Sequence, residues 1–294
     1  MSTKSMAGPE WAIMRRFLTL GVGLLLVGAA TAAVLSVRAS ASESPSSPLT
    51  FAGSGANLAI TRILADAFTR AHPEIKISVP ASIGSTGAIR AAAERAITIG
   101  LISRPLNEKE QGLGLTVIPY AKTAVVIGAH PSVVEDGITF EELVRIYKGE
   151  KLRWQDARGI VVLTREPGDS SIAALEREIP GFKEAYAESQ QAKRWTTSYT
   201  DQEANKLLSK TPYAIGVSDM GTITSEKLPI KVLKVNGVFP TAENVLRGRY
   251  SLVKTLAFVF FQDKLPAEAN AFKDFVRSKA GEKILKASGY VLGE

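Results

Sequence analysis

Two patterns of apolar spacing alternate along the chain: short continuous runs, and longer stretches in which apolar residues recur every three or four positions. The first pattern reads as buried strand and the second as a helix with one face inward. Leu49–Ala52 is a predicted strand, Gly53–Asn57 a glycine-rich turn, and Ile60, Ile63, Leu64, Ala67 and Phe68 share one helix face. Ile75–Val79 is the next strand, followed by a turn at Ile83–Gly87 and a helix over Ala88–Ala96. The strand Ile97–Ile102 runs into Ser103-Arg104-Pro105, where proline ends it. Leu115–Tyr120 and Thr123–Gly128 read as two further strands, and Ile160–Thr164 as a third that leads to a helix opening at Ser171. Capping boxes, Thr139 with Glu142 and Thr200 with Glu203, open helices over Thr139–Lys148 and Thr200–Leu208. Tyr213–Val217, Ile230–Val235 and Leu256–Phe261 complete the strands, and two helices close the chain. This alternation, without a repeat of fixed period, predicts an α/β fold.

Three of the strand-to-helix corners carry glycine and hydroxyl residues: Gly53-Ser54-Gly55-Ala56-Asn57, Ile83-Gly84-Ser85-Thr86-Gly87 and Arg165-Glu166-Pro167-Gly168-Asp169-Ser170-Ser171. A corner of this kind aims unpaired backbone N–H groups and the positive end of a helix dipole at one point, which suits an anion. At the third corner Ser170 and Ser171 add hydroxyl donors and Arg165 adds a fork of charged donors. The plainer reading of that corner is a helix start capped by Asp169 or Ser170. Ser103 and Arg104 stand at the carboxyl end of a strand, where open α/β sheets place their ligands. Arg104 serves either such a ligand or a surface ion pair with Glu108 or Glu110.

Composition narrows the chemistry. A chain of 294 residues, 45% hydrophobic and 22% charged, has enough apolar residues for two lobes with their own cores. The absence of cysteine excludes disulfides, thiolate metal sites and cysteine nucleophiles. His72 and His130 each precede proline in predicted loops and have no partners at metal-ligand spacing, so neither a metal nor a cofactor is expected. No Gly-x-Ser-x-Gly elbow or Walker loop is present, which argues against a hydrolase or phosphotransferase. The formal charge of +7 includes +3 from residues 1–41, leaving a mildly basic remainder whose charges are interspersed. Nucleic-acid binding is therefore not expected. Trp154 and Trp195 neighbour Arg153 and Arg194, and either contact a ligand or pack at the surface with a cation over the ring.

Arg15-Arg16, the uncharged stretch Phe17–Val37 and the small residues at Ala39 and Ala41 have the layout of an export signal. The 21-residue apolar stretch is also long enough to span a bilayer, so residues 1–41 read either as a signal peptide or as a membrane anchor. Both alternatives place the rest of the chain outside the inner membrane. Residues 42–48, rich in serine and proline, read as a flexible tether.

The order of these motifs resembles the periplasmic phosphate-binding proteins of ABC uptake systems. Four segments carry the likeness: Gly53–Asn57, Ile83–Gly87 before a helix, Ile99–Leu106, and Arg165 with Gly168-Asp169-Ser170-Ser171. The resemblance spans essentially Leu49 to Glu294. It implies a two-lobed periplasmic-binding-protein-like fold with a non-catalytic cleft, in which a phosphate or similar oxyanion is held for delivery to an ABC permease. It places lobe I over 49–122 and 254–294 and lobe II over 123–253, with crossings near Ala121–Thr123 and Leu252–Leu256, in a monomeric chain. By the same likeness, lobe I contributes Ser54, the amides at Gly55 and Ala56, the Ser85-Thr86-Gly87 turn, and Ser103. Lobe II contributes Arg165, Gly168, Asp169, Ser170 and Ser171. Some members of the family have an aspartate where Ser103 stands, and a serine is usual where Asp169 stands. Asp169 therefore either caps its helix or turns into the cleft as an acceptor for the proton of a protonated oxyanion. A membrane-tethered sensor or scaffold is the competing reading, prompted by the long apolar leader.

Overall fold

The fold was obtained as a computed structural model that describes residues 48–293. The expected signal or anchor (1–41) and all but the last residue of the tether lie outside the described residues. Among the described residues no helix is long and apolar enough to cross a membrane.

One ten-stranded sheet runs through the described chain. At one end Ile77–Ser78, Leu49–Gly53 and Ile99–Ile102 lie parallel. Val253–Phe260 joins them antiparallel and pairs in turn with the long strand Thr116–Ala129. At the other end Ala214–Asp219, Val161–Arg165 and Thr196–Ser198 lie parallel to one another, with Ala214–Asp219 antiparallel to the long strand. The long strand pairs with Val253–Phe260 up to Ala124 and with Ala214–Asp219 from Val125, so each half of it belongs to a different part of the sheet.

Two main apolar cores flank this changeover. One gathers Phe51, Leu58, Leu64, Phe68, Phe258 and Phe272. The other, drawn from Ala124 to Leu252, includes Val125, Ile127, Ile146, Leu175, Phe182 and Ile215. Full burial of a leucine or phenylalanine contributes roughly 1.5–3 kcal/mol, so each core can hold its own set of helices against the sheet. The architecture therefore matches the α/β two-lobed expectation.

Several elements differ in extent. The two strands predicted over Leu115–Tyr120 and Thr123–Gly128 are one 14-residue strand. Ala121 and Lys122 contain no turn residue, and both pair in the ladder, with Leu256 and Thr255 on one side and Leu292 and Val291 on the other. Ile230–Val235 divides into Lys231–Val232 and Lys234–Val235, which pair with different strands. The helices at the first two corners begin earlier than predicted, at Gly55 and Gly84. Thr139 and Glu142 form the full capping box. Thr200 caps Glu203, but the Glu203 carboxylate accepts from the N–H of Tyr199 rather than that of Thr200.

Neither tryptophan behaves as either sequence alternative. Trp154 is buried and its indole N–H donates to the carbonyl of Tyr213, while that of Trp195 donates to the carbonyl of Tyr147. Among the described residues the cations that lie over rings are instead Arg95 at Phe261, Arg158 at Tyr213 and Lys273 at Phe260.

Candidate functional site

Four helices begin around one cavity of about 400 Å³. Gly55–Ala71 and Gly84–Ala93 come from the first half of the chain, Ser170–Glu178 and Asp201–Lys210 from the segment between the two crossings. The first turn of a helix has N–H groups with no partner inside the helix. On the first pair of helices neither Ser54 nor Ile83 supplies one, while Ser82 Oγ accepts from the N–H of Gly84 at 3.3 Å. The Ser54 hydroxyl is held instead by Ser103, at 2.6 Å.

Hydroxyls line the junction of the two halves. Ser103 Oγ lies 2.6 Å from Ser54 Oγ, its N–H donates to Ser85 Oγ at 3.1 Å, and its hydroxyl donates across to Ser170 Oγ at 2.9 Å. Ser103 is thus one point at which both halves meet. Of the predicted residues, Ser54, Ser85, Thr86, Arg165, Gly168, Asp169 and Ser170 line the cavity. Gly55, Ala56, Gly87, Ser103 and Ser171 do not. Gly55 stands against Asp201, Ala56 is fully buried, Gly87 packs on Ile83, and Ser171 turns away to accept from Lys254.

Arg165 is 3% exposed and held on all sides. Its Nε donates to the carbonyl of Ser198 and to Glu166, its Nη1 to Asp201 at 3.1 Å, and its Nη2 lies 3.2 Å from Asp169 Oδ2. Three acids therefore surround the one guanidinium in the cavity wall. Gly168, at φ +85°, provides the left-handed turn between Arg165 and the helix start that a side chain would strain. Asp169 caps its helix as the plainer reading expects: Oδ1 accepts from the N–H groups of Ser171 and Ile172 at 2.9 and 3.2 Å. Its second oxygen remains for Arg165.

The acids are pushed in opposite directions. Burial raises the Asp169 carboxyl, with Arg165 opposing and neighbouring Asp201 adding to the rise. Burial also acts on Asp201, but Arg165 and then Lys254 outweigh it and hold that carboxyl below the usual range. Partial burial raises Glu166 against the pull of Arg165.

Arg104 makes the surface pair rather than entering the cavity. Its fork grips Glu110 at 2.7 and 2.8 Å, and one nitrogen also reaches Thr86 Oγ1 at 2.9 Å; Glu108 is not its partner. The hydrogen bond from Arg104 keeps the Glu110 carboxyl below its ordinary 4.5 despite its burial. The stabilisation is therefore present above about pH 4.5 and lost as pH falls through the lowered value. Glu110→Gln is expected to cost about 1 kcal/mol at neutral pH. Its thermal unfolding curve and that of the parent should converge in acid; a gap of constant size at all pH values would refute the ion-pair account.

Asp201, Glu166 and Tyr199 were missed by the sequence reading, yet all three line the cavity. Asp201 directly follows the capping residue Thr200, so it had a readable signal: it opens a helix at the end of a strand, as the other corners do. Among the described residues no cluster of acids and histidines could hold a metal ion.

Residues 38–280 match the PBP superfamily domain, and the chain belongs to that superfamily. It is 25% identical over 256 residues to the phosphate-binding protein PstS of Bacillus subtilis, an alignment covering 85% of this chain and 82% of the relative. The PstS of Borreliella burgdorferi is 24% identical over 215 residues, covering 71% and 77%. Among solved structures, a phosphate ABC transporter substrate-binding protein of Clostridium perfringens with bound phosphate superposes with a TM-score of 0.75. That pair is 23% identical and covers 84% of this chain and all of the other.

Proposed function

We propose that the chain is a non-enzymatic solute-binding protein that captures phosphate, or a similar tetrahedral oxyanion, between two lobes and delivers it to an ABC importer. The observation that carries this reading is the convergence of four helix starts, two from each half of the chain, with Arg165 on a single cavity. The names of the PstS relatives and of the phosphate-bound structural neighbour agree with it. Removing a small dianion from water is costly, and a nearly complete shell of aimed donors offsets that cost. The uncapped amides at Ser85 and Thr86, the hydroxyls of Ser54, Ser85, Thr86 and Ser170, and Arg165 supply such a shell. Ser103 and Ser171 act from behind it, through Ser54, Ser85 and Ser170 in one case and Lys254 in the other.

Because the donors are divided, neither half is adequate alone, and the anion stabilises the state in which the halves meet. We assign lobe I to 49–122 with 254–294 and lobe II to 123–253. Residues 1–41 are proposed to export the chain or to anchor it, with the monomeric lobes facing a membrane permease outside the cytoplasm.

Calorimetry on protein freed of anion is expected to show about one phosphate per chain. An absence of heat and of any thermal shift with phosphate, sulfate, molybdate and tungstate would reject the reading.

A further inference from the structure

Behind the cavity lies a second buried cation that the proposed site does not yet use. Lys254 sits on the return strand opposite Thr123, where the chain crosses between the two halves. Its side chain is 2% exposed. Removing an ammonium from water costs several kcal/mol, so its partners must offset a large penalty. Nζ donates to Ser171 Oγ at 2.9 Å and lies 3.8 Å from Asp219 Oδ2.

Those partners belong to separate parts of the molecule. Ser171 lies in the first turn of the helix Ser170–Glu178, whose opening residues line the cavity. Asp219 caps the helix Met220–Glu226, accepting from the N–H and the hydroxyl of Thr222 at 2.8 and 2.9 Å. Thr123 accepts from the N–H of Gly221 at 3.0 Å, which binds the other crossing strand to the same helix start. One lysine thus joins the crossing strands to the anion-facing helix.

Charge gives it a second role. Arg165 and Lys254 are the buried cations of this region, against Asp169, Asp201 and Asp219, with Glu166 at the edge. Arg177, on the same helix as Ser171, is turned to Glu178 and the carbonyl of Val253. Arg165 alone faces more acids than it can balance, and an entering anion would add to the excess.

Resting on the proposed anion-binding reading, we propose that Lys254 is a positioning residue for the site: it fixes the start of the Ser170–Glu178 helix against the crossing strands and offsets the acids around Arg165. It does not touch the anion. Its attraction for Asp169 and Asp201 lowers both carboxyls, so its removal lets them keep protons to higher pH. Anion affinity falls as pH rises through the range in which those carboxyls ionise. Without Lys254 that fall should move to higher pH and end at a weaker plateau.

The test uses Lys254→Met and the double variant Lys254→Met with Asp219→Asn, which removes both charges of the buried pair and so protects folding if the single variant is unstable. Calorimetry with inorganic phosphate from acid to alkaline pH is expected to show binding weakened roughly ten- to a hundredfold at neutral pH, with the displaced profile, in whichever variant has native thermal unfolding. Ser171→Ala, which keeps the charge, should weaken binding without moving the profile. Parent protein that binds phosphate beside folded variants with its affinity and pH profile overturns this inference alone. Parent protein that binds no phosphate overturns the anion reading, and this inference with it.

Discussion

Replacing Arg165 by alanine is expected to abolish phosphate binding, with a loss on the order of a thousandfold or more. The guanidinium is the one cation in the cavity wall, and its donors go to Ser198, Glu166, Asp201 and Asp169. Alanine removes those donors and leaves three carboxylates around the space an anion must enter. The same change has a structural cost, because breaking a buried ion pair from one side typically destabilises by about 3–5 kcal/mol. A lower melting temperature is therefore expected as well, and loss of binding in that variant could be ascribed to unfolding. Combining Arg165→Ala with Asp201→Asn separates the effects: removing the most tightly held carboxylate should recover part of the stability and none of the binding. Calorimetry and thermal unfolding on both variants decide it. Undiminished phosphate affinity in a folded Arg165 variant would show that the cavity is not the binding site.

Local chemistry makes much of this site readable in the sequence. A glycine or serine corner between a strand and a helix is encoded within a few residues, and Ser54, Ser85, Arg165, Asp169 and Ser170 all reach the cavity from such corners. Residues whose place depends on the meeting of distant segments were harder to see. Asp201 matters because it stands against Gly55 and Arg165, neither of them near it in sequence. Lys254 lies two residues before the apolar run at Leu256 and was left outside the predicted strand, which in fact starts at Val253. The helix Phe182–Gln191 was missed because its inward face is narrow, with only Phe182, Ala185, Tyr186 and Ser189 buried among polar neighbours. The continuity of Thr116–Ala129 was missed for a related reason: Ala121 and Lys122 interrupt the apolar run, but the ladder bonds on both sides of Lys122 do not depend on its side chain.

Gly55→Ala should separate closure from folding. Gly55 opens a helix of the proposed lobe I, and Asp201 opens one of the proposed lobe II. A Cβ at Gly55 would fall 2.2 Å from Asp201 Oδ2 and 2.6 Å from its Cβ, where non-bonded heavy atoms normally rest at roughly 3.5–4.0 Å. Asp201 cannot simply swing aside, since its other oxygen is bound to Arg165. The methyl group must therefore hold the two helix starts apart, which also draws Gln202 away from its partner, the Gly55 carbonyl. Within lobe I the substitution is benign: the residue begins a helix, has no positive φ, and alanine is the better helix former by about 1 kcal/mol. The expected signature is an unchanged or raised melting temperature without anion, phosphate binding weakened on the order of a hundredfold, and no contraction in solution scattering when phosphate is added. Arg165 is intact in this variant, so the loss would reflect the approach of the lobes rather than the removal of a donor. Full affinity with normal contraction would mean that the contact between Gly55 and Asp201 is not part of the bound state.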